Sequence, residues 1–242
     1  MARRINGFAR LAGAAALMAM VAAPAAAQEE PATAEGLAFA QALDDLATLP
    51  PAPVPAGECV PWARLDSPVG GAFLPGALAS TPTDGSPTDG PDFFQGSGGD
   101  DGFWTGGGDD TVLGGPGANL IVGGDGRDLL FGEEGPDGLF GGALDDTLDG
   151  GPGNDTVAGG TGADLFVASE GMDTILDFSR EEGDRVALPQ EVAKAFPCAS
   201  DFVAARFGSN EAGSRLHIGP AGGIIFPDAR DFVPSDFVIL AR

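Results

Sequence analysis

Basic residues are scarce in this chain of 242 residues: 12 Lys and Arg stand against 36 Asp and Glu, for a formal net charge of -24. Phosphate backbones and anionic membrane surfaces are repelled by such a charge, which excludes nucleic acid as a partner and favours cations. Histidine is rarer still, with His217 the single one. Catalytic zinc takes three protein ligands, often through HExxH, and a Ser-His-Asp triad needs a histidine placed by a supporting motif. Neither HExxH nor GxSxG occurs, so His217, between Leu216 and Ile218, is expected to be an ordinary strand residue. Cysteine is limited to Cys59 and Cys198. In an oxidising compartment an even pair is more often bonded than free, and a bridge would staple the N-terminal segment to the region after the repeats; two isolated thiols are the alternative. Long apolar runs are also missing. No stretch after residue 27 approaches the ~20 apolar residues of a spanning helix, so no integral membrane protein is expected.

What is abundant is turn-forming residues, 40 Gly and 20 Pro, well beyond ordinary globular usage. Residues 1–27 read as a signal peptide: Arg3, Arg4 and Arg10 open it, Leu11 to Ala23 are apolar, and Ala25 to Ala27 form a small-residue cleavage site. An extracellular or periplasmic location follows. Residues 28–86 comprise a short amphipathic helix from Thr33 to Leu49, ended by Pro50 and Pro51, and then a Pro- and Gly-rich linker or irregular packing segment anchored at Trp62. Residues 177–242 read as a C-terminal cap. Short apolar runs at 175–178, 183–188, 215–218, 223–226 and 237–240 predict strands, and 191–196 and 200–207 predict helical turns.

Residues 87–176 carry a pattern of nine residues repeated ten times without insertion or deletion. The fourth position is Gly in every block except at Leu144. The sixth is Asp92, Asp101, Asp110, Asn119, Asp128, Asp137, Asp146, Asp155, Asp164 and Asp173. The eighth is always apolar, from Phe94 through Ile121 and Leu148 to Ile175. Frequent glycine implies positive φ and tight turns, and the apolar position supplies a very short strand pointing inward. One block is too short to close a two-sided coil, so two blocks should form each turn, giving about five turns of stacked parallel strands. A flexible acidic linker would have no reason to hold this phase through ten blocks.

Stacking then raises an electrostatic problem. Residues 96–176 hold 16 Asp and Glu against Arg127 alone. Two files of like charges a few ångströms apart are unfavourable unless a cation neutralises them. Glycine-rich loops expose carbonyl oxygens, and a mixed set of carboxylates and carbonyls in flexible geometry suits calcium better than magnesium. Several calcium ions are the expected cofactor.

The blocks GGDGRDLLF (123–131), GGPGNDTVA (150–158) and GGTGADLFV (159–167) resemble the RTX, or repeats-in-toxin, family, whose consensus is GGxGxDxUx. The resemblance implies an all-β fold: a right-handed parallel β-roll with calcium between successive loops, held by sixth-position carboxylates and loop carbonyls. It nominates Asp101, Asp110, Asp128, Asp137, Asp146, Asp155, Asp164 and Asp173 as ligands. Asp92 and Asn119 complete the candidate set, Asn119 keeping an oxygen but losing a charge, so its site should bind more weakly. Asp173 to Phe178, Gly183 to Val186 and Ser235 to Leu240 are similar to the C-terminal region of serralysin-type proteases. Those proteases add a zinc domain with HExxH, which this sequence lacks. Leu144 and Glu133 stand where the consensus has glycine and should strain their loops. The Asp pairs at 100–101, 109–110 and 145–146 fall in the metal loops rather than a catalytic site. A non-catalytic, secreted calcium-binding structural or binding module is the leading expectation. The alternatives are a calcium-dependent adhesive protein with an unidentified protein or polysaccharide partner, and a hydrolase using His217.

Overall fold

The computed structural model describes residues 59–65, 87–210, 213–218, 222–229 and 231–240. The expected signal peptide and the helix at 33–49 lie outside them. Strand β1 (Ala63–Leu65) precedes the repeats in the chain but joins the assembly at its opposite end. Through the repeats, the glycine-rich half of each block turns and the apolar half extends, so the chain alternates between two sheets. One takes β2 (Phe93–Gln95), β4 (Thr111–Leu113), β6 (Leu129–Phe131), β8 (Thr147–Asp149) and β10 (Leu165–Val167). The other takes β3 (Gly102–Gly107), β5 (Leu120–Asp125), β7 (Gly138–Ala143), β9 (Thr156–Thr161) and β11 (Met172–Ile175).

From β2 to β9 each repeat strand pairs in parallel with the strand one turn on, eighteen residues later: Phe94 lies opposite Val112, Phe103 opposite Ile121, and Leu139 opposite Val157. Two blocks therefore make a turn, and the whole is an all-β parallel β-roll of about five turns. The period-two alternation of each strand sends the eighth-position residue inward. From Val112 to Ile175 these side chains are no more than 5% exposed and form the narrow core. At the first turn Phe94 and Phe103 are half-buried, their rings 6.1 Å apart.

The loops keep one backbone course even where glycine is replaced. Leu144 holds φ 78 at the position where Gly126 and Gly162 have 152 and 137, and Glu133 holds φ 71 where Gly115 and Gly151 have 89 and 85. The expected strain is present, and the loops have not been reshaped to relieve it. An L-residue in this region costs ~1–2 kcal/mol against glycine.

Beyond the repeats both sheets continue. β12 (Arg185–Leu188) pairs with β10, β16 (Phe237–Leu240) with β12, and β1 with β16, all parallel. In the other sheet β15 (Gly223–Phe226) pairs with β11 in parallel, then β14 (Gly213–His217) and β13 (Phe207–Asn210) add antiparallel strands. Helices α1 (Gln190–Ala195) and α2 (Ala199–Arg206) lie between β12 and β13 in the chain. The strands and helical turns expected at 183–240 are found, whereas the run at 175–178 is strand only at Ile175, the end of β11, before the chain turns away. β13 is an addition: Gly208, Ser209 and Asn210 have low β propensity and are extended by pairing with β14.

The core here is aromatic. Phe202, Phe226 and Phe237 are fully buried, and Phe232 stacks on Phe207 with centroids 4.6 Å apart. Trp62 donates from Nε1 to the Phe196 carbonyl at 2.6 Å and sits 5.3 Å from the Phe202 ring. Cys59 and Cys198 are disulfide-bonded, tying the strand β1 segment to the start of α2. Part of the segment expected as linker or irregular packing is thus an ordered strand fixed by tertiary contacts. His217 is half-buried in β14, opposite Gly223, a strand residue as expected.

Candidate metal centre

The turn of eighteen residues places the sixth-position residues in two files, one along each edge of the roll. Asp92, Asp110, Asp128, Asp146 and Asp164 form the first, and Asp101, Asn119, Asp137, Asp155 and Asp173 the second. All are buried except Asp101, which is half-buried. Within each file, one side-chain oxygen accepts the backbone N–H of the equivalent residue a turn earlier. Asp110 accepts from Asp92 at 2.7 Å, Asp146 from Asp128 at 2.8 Å, Asp164 from Asp146 at 2.9 Å, Asp155 from Asp137 at 2.8 Å and Asp173 from Asp155 at 3.1 Å.

The second oxygen is the informative one. Oδ2 of Asp110, Asp128, Asp137, Asp146 and Asp155 is buried with no hydrogen-bond partner. A buried carboxylate oxygen without a donor is costly and requires an explanation. Its surroundings supply one. A Cβ built on Gly123 would collide with Asp128 Oδ2 and come within 2.7 Å of the Gly141 carbonyl oxygen. On Gly141 it would meet Asp146 Oδ2 and the Gly159 carbonyl at 2.6 Å, and on Gly132, Asp137 Oδ2 and the Gly150 carbonyl at 2.5 Å. In the blocks that begin at Gly123, Gly132 and Gly141 the first glycine thus leaves a cradle that a single methyl group would fill, with one carboxylate oxygen and one carbonyl oxygen beside it. The Asp110 block begins instead with Thr105, whose hydroxyl donates to the Gly123 carbonyl at 2.7 Å.

Among the described residues no three His, Cys, Asp or Glu side chains converge on one point. The donors are instead all oxygen, one carboxylate per block with backbone carbonyls, which is a hard set. Calcium accepts such a set, and zinc prefers nitrogen and sulfur. The residues present fit calcium.

Electrostatics agree. Burial pushes the carboxyls of Asp128, Asp137 and Asp173 up to about 6, of Asp155 and Asp164 to about 7, and of Asp146 to about 8. The N–H donated from the preceding turn opposes this rise, and for Asp146 the charges of Asp128 and Asp164 add to it. Without a cation the files are therefore reluctant to ionise together.

Not every candidate presents a bare oxygen. Asp101 Oδ2 accepts from the Ser97 N–H at 2.6 Å and its hydroxyl at 2.9 Å; Asp92 Oδ2 accepts from the Thr88 N–H and hydroxyl, each at 2.8 Å, and in Asp92 it is Oδ1 that is buried with no partner. Asp173 Oδ2 accepts from the Ser169 hydroxyl at 3.2 Å. Asn119 stands in its file, but its Nδ2 donates to the carbonyls of Gly115 at 2.9 Å and Gly132 at 3.4 Å. The fifth-position acids lie in the loops, as expected, but bond outward. The exposed carboxylates of Asp100, Asp109 and Asp145 accept the N–H of Ala118, Arg127 and Ala163 one turn on, at 2.8, 2.9 and 2.8 Å. They make an outer ladder of their own.

Asp184 was not among the candidate residues. It extends the first file, accepting the Asp164 N–H at 3.0 Å on Oδ1 and the Ser179 N–H at 2.7 Å on Oδ2. It lies twenty residues after Asp164 instead of eighteen, so the two extra residues hide it from the register; the apolar Val186 two places on was the surviving signal. Asp177 closes the same edge by accepting from Gly159 and Gly160 at 3.0 and 2.8 Å. Arg180 then locks this junction to the cap through buried Asp236 at 2.6 Å.

The model of the RTX calcium-binding nonapeptide repeat matches in four overlapping copies, at 88–112, 104–139, 113–148 and 140–175. No curated protein matches the chain. Among solved structures, the extracellular lipase LipA of Serratia marcescens is matched at 14% identity over 63% of this chain and 39% of that one, with a TM-score of 0.29. The AlgE6R3 subunit of the Azotobacter vinelandii mannuronan C5-epimerase is matched at 20% identity over 66% and 83%, with a TM-score of 0.30. The chain spans about two fifths of the length of the lipase. With the repeat model matched across 88–175 and the oxygen cradles stacked along both edges of a parallel β-roll, residues 88–175 are RTX calcium-binding nonapeptide repeats.

Proposed function

We propose that the chain is a secreted, non-catalytic module whose β-roll folds on binding calcium between stacked loops. The observation that carries this reading is the row of buried, unpartnered Oδ2 atoms on Asp110, Asp128, Asp137, Asp146 and Asp155, each with a carboxyl resistant to ionisation, and with a carbonyl oxygen alongside at Asp128, Asp137 and Asp146. Asp164 Oδ2 has the same place beside Gly159 and joins them. Oδ2 of Asp92, Asp101 and Asp173 ligates only after releasing the donors from Thr88, Ser97 and Ser169, while Asp92 keeps a buried Oδ1 with no partner. The Cys59–Cys198 bond supports an oxidising compartment, in line with the signal-like residues 1–27. A catalytic role has one histidine to draw on, and His217 is committed to the antiparallel pair of β14 and β15.

Circular dichroism across a calcium titration tests the proposal. From chelator to the ~0.1–1 mM range of extracellular calcium modules, the β signal should rise from a largely disordered level. A spectrum unchanged to about 10 mM calcium overturns it.

A further inference from the structure

We infer that the block containing Asn119 is a rung closed to calcium, in which the side-chain amide nitrogen takes the place of the cation. This rests on the calcium reading of the neighbouring rungs. In those rungs a carboxylate has two oxygens with two duties: one accepts the N–H from the turn below, and the other lies beside the first-position glycine facing a carbonyl oxygen. Asn119 keeps the first duty, its Oδ1 accepting the Asp101 N–H at 3.0 Å. That bond fixes the amide orientation, because the opposite one would set two donors against each other. Nδ2 is therefore aimed into the cradle. A Cβ on Gly114 would come within 2.7 Å of the Gly132 carbonyl oxygen and 2.9 Å of Asn119 Nδ2, the counterparts of Gly141 O and Asp128 Oδ2 around Gly123.

The chemistry is inverted in this block. Nδ2 donates to Gly115 O and Gly132 O, so carbonyls that would face a cation face an amide N–H. Asn119 is 1% exposed and has no unpartnered side-chain atom, whereas Asp110, Asp128 and Asp137 around it each have one. To ligate a metal through Oδ1, the amide would have to turn over, break both donated bonds, and place Nδ2 against the Asp101 N–H. A neutral amide gains too little from a cation to offset those losses, since it brings no charge. The rung is stable without metal and divides the second file, leaving Asp101 on one side and Asp137, Asp155 and Asp173 on the other.

The test is the calcium content of the full chain after equilibrium dialysis, measured by atomic emission for the wild type, Asn119→Asp and Asn119→Ala. Asn119→Asp restores the second oxygen and should bind one more calcium per chain than the wild type. Asn119→Ala should bind the same number as the wild type but show faster amide exchange at 115–122 in chelator, because the internal donor is gone. Equal calcium content in the wild type and Asn119→Asp, or a loss of calcium in Asn119→Ala, overturns the inference while leaving calcium binding itself intact. Absence of bound calcium in the wild type fails the underlying reading instead.

Discussion

The two halves of the described structure are built on one pair of continuous sheets but held together by different forces. In the repeats each strand contributes one inward residue to a narrow core, and the loops bury carboxylates whose second oxygens have no partner. In the C-terminal region the core is a cluster of packed phenylalanines, reinforced by the Cys59–Cys198 bond and by Arg180 on buried Asp236. The cap therefore meets its own polar and apolar requirements, and the roll requires a cation to meet its electrostatic ones. If the roll awaits calcium, as proposed, the cap is an end complete beforehand from which parallel pairing can propagate turn by turn.

The largest effect expected from breaking this contrast is on the cap. Replacing both Cys59 and Cys198 by Ser releases a closure of 139 residues and should lower cap stability by ~2–5 kcal/mol, in chelator and in calcium alike, as read by urea unfolding followed at Trp62 in a Trp104→Phe background. A loss seen only in chelator would mean that the roll and cap are not separate in origin.

Asp146→Asn sharpens the contrast because its sign depends on metal. With calcium it removes a charged ligand and should cost ~1–3 kcal/mol; in chelator it removes the carboxyl pushed to about 8 and should stabilise the roll. Thermal melts under the two conditions check the reversal. pH acts in the same direction. The folded-state values of about 6 to 8 lie above the ~3.9 of an unfolded Asp, so ionisation penalises the metal-free fold increasingly as pH rises from about 4 to 8. Chelated protein should accordingly show more β signal at pH 5 than at pH 8, and calcium should abolish the difference at pH 8. The smallest effect belongs to backbone strain: Leu144→Gly relieves φ 78 at an exposed site and should stabilise the calcium-loaded roll by up to ~1 kcal/mol, the greater freedom of unfolded Gly offsetting part of the gain.

The roll was legible in the sequence because its determinants are local and periodic: a glycine to turn, an apolar residue to face inward, and a carboxylate between them. What escaped depends on neighbours a turn away or farther. Asp184 is displaced by two residues from the register, and only its bond to Asp164 shows that it belongs to the file. Asp100, Asp109 and Asp145 share the loops with their buried neighbours, and their outward bonding appears only once the turns are stacked. Strand β1 is three residues of Ala, Arg and Leu with no alternation to announce it, made extended by pairing with β16. Asn119 looked like a weaker ligand by composition, and hydrogen-bond direction turns it into a substitute for the ligand's metal.

Amide hydrogen exchange, resolved along the chain and compared between chelator and calcium, puts the central claim to its most direct test. Residues 105–176 should exchange rapidly in chelator and become protected by calcium, with 114–122 the least dependent stretch among them, while 185–208 and 223–240 should change little. Equal protection of the roll in both conditions, or a calcium response confined to the cap, would contradict the account.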